Sequence, residues 1–214
     1  MDYRPSYFPV QVEVGKEYHP GFRGHSTTNL CRYSWEPWWS PDTFRQVRAS
    51  GAQHNAIDVM SGVGARVVAA RAGRVGTRWV YQGEVRSGVG QSENGGNYVR
   101  IEADDGGFDY YAHMRDPALV QAGQHVAAGQ LIGFVGKTGN AASSCPHLHY
   151  QVGDENRRAI DPIPALTALY NAGSYIYRPT GLDKAMPYLP WVGAGVAVLG
   201  GGALIWWWTS RRSR

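Results

Sequence analysis

Hydrophobic and polar residues alternate in short runs along the middle of the chain, and glycine-containing turns separate many of these runs. Between Ala65 and Gly153 the runs are ARVVAARAG, GRVGTRWVYQG, NYVRIEADDGG, FDYYAHM, GQLIGFVGKTG and HLHYQVG. Alternation with regular turn signals is typical of antiparallel strands. The segment 104–107 (DDGG) stands between two strand-like runs and predicts a hairpin turn. The pattern therefore predicts a mainly β protein with an antiparallel sheet.

Few helices are expected, and those few are short. The segment 41–49 (PDTFRQVRA) starts like a helix, and 161–172 (DPIPALTALYNA) has the pattern of a short surface helix. Pro and Gly residues that follow the second segment mark a linker over 176–187. These helices add little to a fold that the strands dominate.

The segment 188–208 differs in kind, because it contains no charged residue over 21 positions. As a helix it would be about 31 Å long, enough to cross the apolar core of a bilayer. Tryptophans lie near both ends and three arginines follow, as in interfacial anchors with a positive flank. We expect a C-terminal transmembrane helix and a basic tail over 209–214. The alternative is a glycine-rich buried hairpin, since glycine weakens a helix.

Two further expectations concern this membrane segment. Gly193, Ala197 and Gly201 share one face at the spacing of small residues in packed helices, which predicts self-association. The first 18 residues contain no apolar core of a secretory signal. The chain is then a mature form, a protein whose only membrane address is the C-terminal segment, or a component of a virus particle or injection device. We expect the main domain to face the cell wall or periplasm, with the membrane or shell of a virus particle as the alternative.

The N-terminal segment is rich in aromatic residues. Nine Tyr, Phe and Trp side chains occur between Tyr3 and Trp39. Aromatic side chains usually bury their area inside a fold, so we expect this segment to pack on the main domain, with glycan binding as the alternative. The predicted organisation is an N-terminal segment, a main domain that carries the candidate chemistry, a linker, a transmembrane helix and a basic tail. Their limits are 1–45, 46–175, 176–187, 188–208 and 209–214.

The composition fits one globular domain with appendages. The chain has 214 residues, of which 43% are hydrophobic and 18% are charged, so disorder is not expected. The net charge is +4, but three of the 21 basic residues lie in the last four positions, and the rest of the chain has 18 basic and 17 acidic residues. Such a balance excludes a general nucleic-acid-binding surface. Cys31 and Cys145 predict either a disulfide or two separate buried thiols.

The candidate chemistry lies in four histidines and one aspartate. His54 and Asp58 are four positions apart and can lie on the same side of a helix or a strand. His147 and His149 are two apart in a strand-like run and face the same way, and His113 closes another run. Each of these alone is readily explained as a capping or surface residue. Together they supply ligands for zinc and leave two imidazoles for proton transfer at neutral pH.

These residues occur within a longer ordered set of motifs. HNAIDV, GARVVAARAGRVG, GNYVRIEADDGGFDYYAHM, VQAGQHVAAGQLIGFVGKTGN and CPHLHYQV follow one another across about a hundred residues between Gln53 and Val152. In these motifs the chain resembles the lysostaphin-type (LytM-like) zinc endopeptidases, which cut peptide crosslinks of peptidoglycan. The resemblance implies a mainly β fold in which an antiparallel sheet forms the floor of an open groove with the metal at its base.

The resemblance also implies roles for the five side chains. His54, Asp58 and His149 are expected to bind one zinc ion, and His113 and His147 to be the catalytic pair. One of the pair removes a proton from the attacking water, and the other stabilises the oxyanion and protonates the leaving amine. A protonated Asp58 would be a poor ligand, so activity is expected to fall in acid.

One feature departs from the family pattern. Some members have a tyrosine shortly before the first ligand that helps to hold the tetrahedral intermediate, and 45–53 contains none. Either another residue such as Arg48 substitutes or the role is vacant. The main rival functions are a non-catalytic module that binds peptidoglycan or activates another hydrolase, and a structural membrane protein of a virus particle. The five intact positions favour catalysis over the non-catalytic module, whereas the structural virion role can coexist with it.

Overall fold

The computed structural model describes residues 3–13, 38–39, 44–47, 51–79 and 94–179. Within these ranges the chain forms strands, one α-helix and one short 3-10 helix at Gly139–Ser143. The strands are β1 Val10–Glu13, β2 Trp38–Trp39, β3 Ile57–Met60, β4 Arg66–Val68, β5 Gly73–Trp79, β6 Asn97–Ala103, β7 Phe108–Met114, β8 His125–Val126, β9 Leu131–Phe134, β10 His147–Gly153, β11 Ala159–Ile160 and β12 Ile176–Tyr177, and the α-helix is α1 Ile163–Asn171.

The larger of two sheets has eight strands and is antiparallel throughout. Its order is β2-β3-β10-β7-β6-β5-β8, with β11 paired to the end of β10. Strands β10 and β7 lie side by side at the centre of this order. A central strand is hydrogen-bonded on both edges, so these two strands are firmly positioned.

The smaller sheet has the order β12-β1-β4-β9. Strand β1 runs parallel to β12 and antiparallel to β4. Val10 and Val12 of β1 and the preceding Phe8 are completely buried. These side chains belong to the same hydrophobic core as those of the larger sheet, so the start of the chain is part of the fold.

The larger sheet has one face on the core and one face that carries polar side chains. In β6, Val99 and Ile101 are buried in the core, while Tyr98 and Arg100 lie on the other face and are half-buried. Strand β10 follows the same rule, because its Leu148, Tyr150 and Val152 are completely buried in the core. We call the opposite side, which carries His147, His149 and Gln151, the groove face.

A buried ion pair lies behind the central strands. Arg71 precedes β5 and binds Asp109 of β7 through two contacts, Nε to Oδ2 at 3.1 Å and Nη2 to Oδ1 at 3.0 Å. The Tyr150 hydroxyl donates to Asp109 at 3.1 Å, and the Tyr3 and Tyr150 hydroxyl oxygens are 2.6 Å apart. Arg71 is 3% exposed and also pairs with the half-exposed Asp105 at 2.8 Å, whereas Asp109 is completely buried and its charge is compensated by Arg71.

The predicted mainly β fold with antiparallel sheet is confirmed. The hairpin predicted at 104–107 joins β6 to β7, with Gly106 and Gly107 at φ values of +99° and +69°. The helix predicted over 161–172 is observed as α1, Ile163–Asn171.

The segment 41–49, predicted as a helix, is not helical in its described part, 44–47. Arg45 has a left-handed φ of +59°, which an α-helix does not contain. The Arg45 N–H donates to the His54 carbonyl at 2.7 Å, and the His54 N–H donates to the Gln46 carbonyl at 2.9 Å. Pairing with a distant residue therefore replaces the local hydrogen bonds that a helix needs.

The predicted transmembrane segment 188–208 lies outside the described residues. None of the helices in the described part of the chain is long and apolar enough to span a membrane. The predicted span and basic tail stay predictions. Of the linker predicted over 176–187, Ile176 and Tyr177 instead form β12, which pairs with β1, and the residues after 179 lie outside the described residues.

Candidate metal centre

The structure brings His54, Asp58 and His149 together on the groove face. Asp58 of β3 and His149 of β10 are direct cross-strand partners, and His54 lies in the segment that leads into β3. His54 Nε2 is 3.0 Å from His149 Nδ1 and 3.3 Å from Asp58 Oδ1, while His149 Nδ1 is 3.1 Å from Asp58 Oδ1. Three potential metal ligands therefore converge on one point.

These spacings fit a zinc ion. Zinc bonds of 2.0–2.1 Å in a tetrahedral arrangement hold neighbouring ligand atoms about 3.3 Å apart. The three ligand atoms already lie close to that separation, and two nitrogens with one carboxylate oxygen form a common zinc donor set. Three protein ligands leave one tetrahedral position for water or substrate.

The two remaining histidines lie beside this triad. The His147 ring is 4.9 Å from the His113 ring between centroids, and His113 is 5.6 Å from His149. His147 Nε2 is 3.7 Å from Asp58 Oδ1. All five side chains selected from the sequence thus form one cluster.

Hydrogen bonds to backbone carbonyls fix the orientation of both imidazoles. His113 Nδ1 lies 2.9 Å from the Thr138 carbonyl oxygen, and His147 Nδ1 lies 2.7 Å from the Cys145 carbonyl oxygen. A carbonyl can only accept, so Nδ1 is the protonated nitrogen in both rings. Nε2 of each neutral imidazole is consequently left as the basic nitrogen.

His113 reaches the groove face through an irregularity in β7. In a regular strand it would face the core, because Tyr111, two residues earlier, is completely buried. The pairing of β6 with β7 shifts between Asn97 and Val99, and His113 has a left-handed φ of +63°. A β-bulge of this kind re-aims a side chain, and the buried position passes to Met114.

Several hydrogen bonds hold this bulge in place. The His113 N–H donates to the Gly95 carbonyl at 2.8 Å, and the Thr138 hydroxyl donates to the Met114 carbonyl at 2.7 Å. Asn97 contributes its side-chain NH₂, which donates to the Met114 carbonyl at 3.2 Å. The sequence provided no signal for this bulge.

The electrostatic environment favours the deprotonated forms of Asp58 and His149. Burial raises the pKa of Asp58, but hydrogen bonds from His149 and His54 outweigh it and hold the pKa well below its usual range. The pKa of His113 is lowered to about 3, mainly by burial and to a smaller extent by the nearby His147 and His149. Burial also lowers the pKa of His149 against the opposing effect of Asp58. An ionised carboxylate and neutral imidazoles are the forms that bind a metal.

Cys145, which precedes His147 by two residues, is disulfide-bonded. The other cysteine of the sequence, Cys31, lies outside the described residues. The alternative of two separate thiols is therefore wrong. The bond anchors the residue whose carbonyl accepts the His147 hydrogen bond.

Tyr110 of β7 is a site residue that the sequence reasoning missed. Its ring lies 6.1 Å from the His149 ring between centroids, at an interplanar angle of 84°. Burial raises the pKa of its hydroxyl above the usual value. Strand alternation from Ala112, which pairs with His149, could have identified Tyr110 as a groove-face residue.

Three converging candidate ligands and two adjacent imidazoles form a cluster that can hold a metal ion beside groups able to transfer protons. The family model "Peptidase family M23" matches residues 52–162, slightly more than half of the chain. The chain belongs to this peptidase family, as its resemblance to the lysostaphin-type enzymes indicated.

Individual relatives cover different shares of the chain. Lysostaphin of Staphylococcus simulans is 32% identical over 136 residues, which are 61% of this chain and 25% of that protein. The murein hydrolase activator NlpD of Salmonella typhimurium is 34% identical over 104 residues, which are 49% of this chain and 24% of that protein. The chain thus matches about a quarter of the length of these relatives.

A solved structure supports the fold. The crystal structure of a glycyl-glycine endopeptidase lytM homologue from Ruminococcus gnavus superposes with a TM-score of 0.56 at 23% sequence identity. The match covers 79% of this chain and 62% of that one. At this identity the likeness concerns the fold alone.

Proposed function

We propose that this chain is a zinc-dependent endopeptidase that hydrolyses peptide crosslinks of bacterial peptidoglycan. The observation that carries the proposal is the convergence of His54 Nε2, Asp58 Oδ1 and His149 Nδ1 within 3.3 Å of one another, with His113 and His147 beside them. The peptidoglycan substrate follows from the family to which the chain belongs.

The geometry supports the role that we assign to each residue. His54, Asp58 and His149 would hold one zinc ion, which when bound polarises a carbonyl and lowers the pKa of water. His113 and His147 each have Nδ1 engaged with a backbone carbonyl, so Nε2 exchanges the proton. One imidazole accepts a proton from the attacking water, and the other stabilises the oxyanion and delivers a proton to the leaving amine.

The test combines metal content with product analysis. Purified protein is assayed for zinc and then incubated with crosslinked muropeptides of the D-Ala–diaminopimelate type and of the glycine-bridge type, and mass spectrometry identifies the new amino termini. His149→Ala should lose zinc and activity, whereas His113→Ala should keep zinc and lose turnover. His125→Ala, which removes an exposed imidazole paired with Asp104, is the control and should retain both properties. A metal-free protein that cleaves neither substrate would refute the proposal.

A second candidate function is a non-catalytic module that binds peptidoglycan or activates another hydrolase. The similarity to a murein hydrolase activator favours this possibility. It predicts muropeptide binding without new amino termini, and stimulation of an added amidase or peptidase. The five-residue cluster favours catalysis, because a module that only binds has no need of three metal ligands and two oriented imidazoles.

We also propose that the segment 188–208 anchors the enzyme in a membrane, with the catalytic domain on the side of the cell wall. The Cys145 disulfide supports an oxidising compartment such as the periplasm or the cell exterior. The alternative location is a virus particle, in which the chain would be an enzyme or a structural membrane protein. Detergent phase partition compares the full chain with a version that ends at residue 187. The full chain should enter the detergent phase and the shortened one should not, and a full chain in the aqueous phase would exclude the anchor.

A further inference from the structure

Tyr110 lies on the groove face directly next to the metal-binding cluster. It pairs with Gln151 of β10 and Arg100 of β6, and it is two residues from Ala112, the partner of His149. Its ring meets that of His149 nearly at a right angle. Tyr110 therefore lies on the same face as the metal-binding cluster and beside one of its members.

Gly95 determines where the Tyr110 hydroxyl lies. A Cβ atom at residue 95 would collide with the Tyr110 hydroxyl oxygen, so the phenol rests against a backbone that has no side chain. The Gly95 carbonyl accepts the hydrogen bond from the His113 N–H. The phenol oxygen is therefore held beside the segment that positions His113, while the ring contacts His149.

The neighbouring Tyr98 provides a direct comparison. The rings of Tyr98 and Tyr110 are 5.0 Å apart at 46°, and both side chains are half-buried on the groove face. The Tyr98 hydroxyl is hydrogen-bonded to the side chain of Thr77. The Tyr110 hydroxyl makes no hydrogen bond to any of the residues that the structure describes. A partly buried phenol normally has a partner, so this hydroxyl is available to a molecule in the groove.

We propose that the Tyr110 hydroxyl donates a hydrogen bond to a main-chain carbonyl of the bound peptide next to the metal centre. The inference rests on the proposed endopeptidase function and adds a substrate-binding residue to it. A neutral phenol suits this role, because a peptide backbone presents carbonyl acceptors at regular intervals.

The test compares Tyr110→Phe with Tyr98→Phe. Each variant removes one hydroxyl and keeps its ring, and of these two hydroxyls only that of Tyr110 has no hydrogen bond to the described residues. Zinc content and melting temperature should match the wild type in both variants. Tyr110→Phe should lower kcat/KM for muropeptide cleavage about tenfold, the effect of one hydrogen bond, whereas Tyr98→Phe should stay within about twofold. Equal rates for Tyr110→Phe and wild type would overturn the inference, as would equal losses in both variants or a loss of zinc in Tyr110→Phe.

Failure of the endopeptidase proposal itself would be recognised separately. If the zinc-loaded wild type cleaves no muropeptide, binding of the same muropeptides is measured by calorimetry for the wild type and both variants. A weaker Kd in Tyr110→Phe alone would then support the contact with peptide. Equal Kd values, or no binding by any of the three proteins, would overturn it.

Discussion

At the scale of single residues, the cluster depends on a backbone conformation that most residues avoid. His113 has a φ of +63°, and a side chain with a Cβ atom adopts this region at a cost of about 1 kcal/mol. The strain is compensated by the hydrogen bonds from His113 to Gly95 and Thr138. The residue at this position is a histidine, although glycine would adopt the backbone conformation without strain. Strained residues of this kind are typical of functional sites.

This strain leads to a prediction that separates stability from activity. His113→Gly and His113→Ala both remove the imidazole, so neither should turn over substrate. Glycine adopts the left-handed conformation without penalty, so His113→Gly should exceed His113→Ala in free energy of unfolding by about 1 kcal/mol. Urea titration of the metal-free variants measures the difference. If the alanine variant is at least as stable, the left-handed conformation carries no strain.

The lowered pKa of His113 predicts loss of stability in mild acid when the protein is metal-free. In the unfolded chain, His113 has a pKa of about 6.5 and binds a proton below that pH. In the folded protein, His113 binds this proton only when the pH falls to about 3. The free energy of unfolding should therefore decrease between pH 6.5 and 3, by roughly 2 kcal/mol at pH 5 for this residue alone. Urea titrations with a chelator at pH 7.5 and pH 5 check this, and His113→Ala should show a smaller decrease.

The lowered pKa of Asp58 also changes the explanation of the expected loss of activity in acid. The carboxyl of Asp58 stays ionised well below its ordinary range, so its protonation does not limit zinc binding in mild acid. The acid loss of activity stays a prediction, and protonation of Asp58 in mild acid is not its cause.

At the scale of elements, the ion pair between Arg71 and Asp109 joins the start of β5 to the central strand β7. Asp109→Ala would leave the buried guanidinium without its bidentate partner, and losing one member of a buried pair costs about 3–5 kcal/mol. We expect a decrease of that size in the free energy of unfolding. Asp104→Ala is the matched control, since it breaks an exposed pair with His125 and should cost about 1 kcal/mol or less. Similar losses in both variants would contradict a special role for the buried pair.

Strand β10, which carries His149, was predictable from the sequence, whereas the geometry that completes the site was not. Alternation in HLHYQVG predicts that His147 and His149 face the same way, and the burial of Leu148 and Tyr150 on the opposite face agrees with this, because burial of one face produces a period of two. The sequence left the conformation around Asp58 open, and the structure places this residue in β3. The parallel pairing of β1 with β12 joins residues more than 160 positions apart, and no local pattern records such a contact. The bulge at His113 depends on hydrogen bonds that His113 donates to the carbonyls of Gly95 and Thr138, which are likewise distant in the sequence.

At the scale of the whole molecule, both ends of the described fold converge on the same core. Strand β1 near the N-terminus lies between β4 and β12, and Phe8 packs against Tyr170 and Tyr175 near the end of the described part. The domain that carries the site therefore extends beyond the matched family region 52–162 in both directions. A version of the chain limited to that region would lack β1 and β12 and expose the apolar side of β4.

The Cys145 disulfide adds a covalent connection at the same scale, and its only possible partner within the sequence is Cys31. A digest without reductant should contain a peptide that joins the two cysteines and separates on reduction. A crosslink that closes so long a loop restricts the unfolded chain, so replacing both cysteines by serine should lower the free energy of unfolding by about 2–4 kcal/mol. Added reductant should produce the same decrease in the wild type and none in the double variant. Two free thiols in the protein purified from an oxidising compartment would contradict the bond, and with it the anchoring of the Cys145 carbonyl that orients His147.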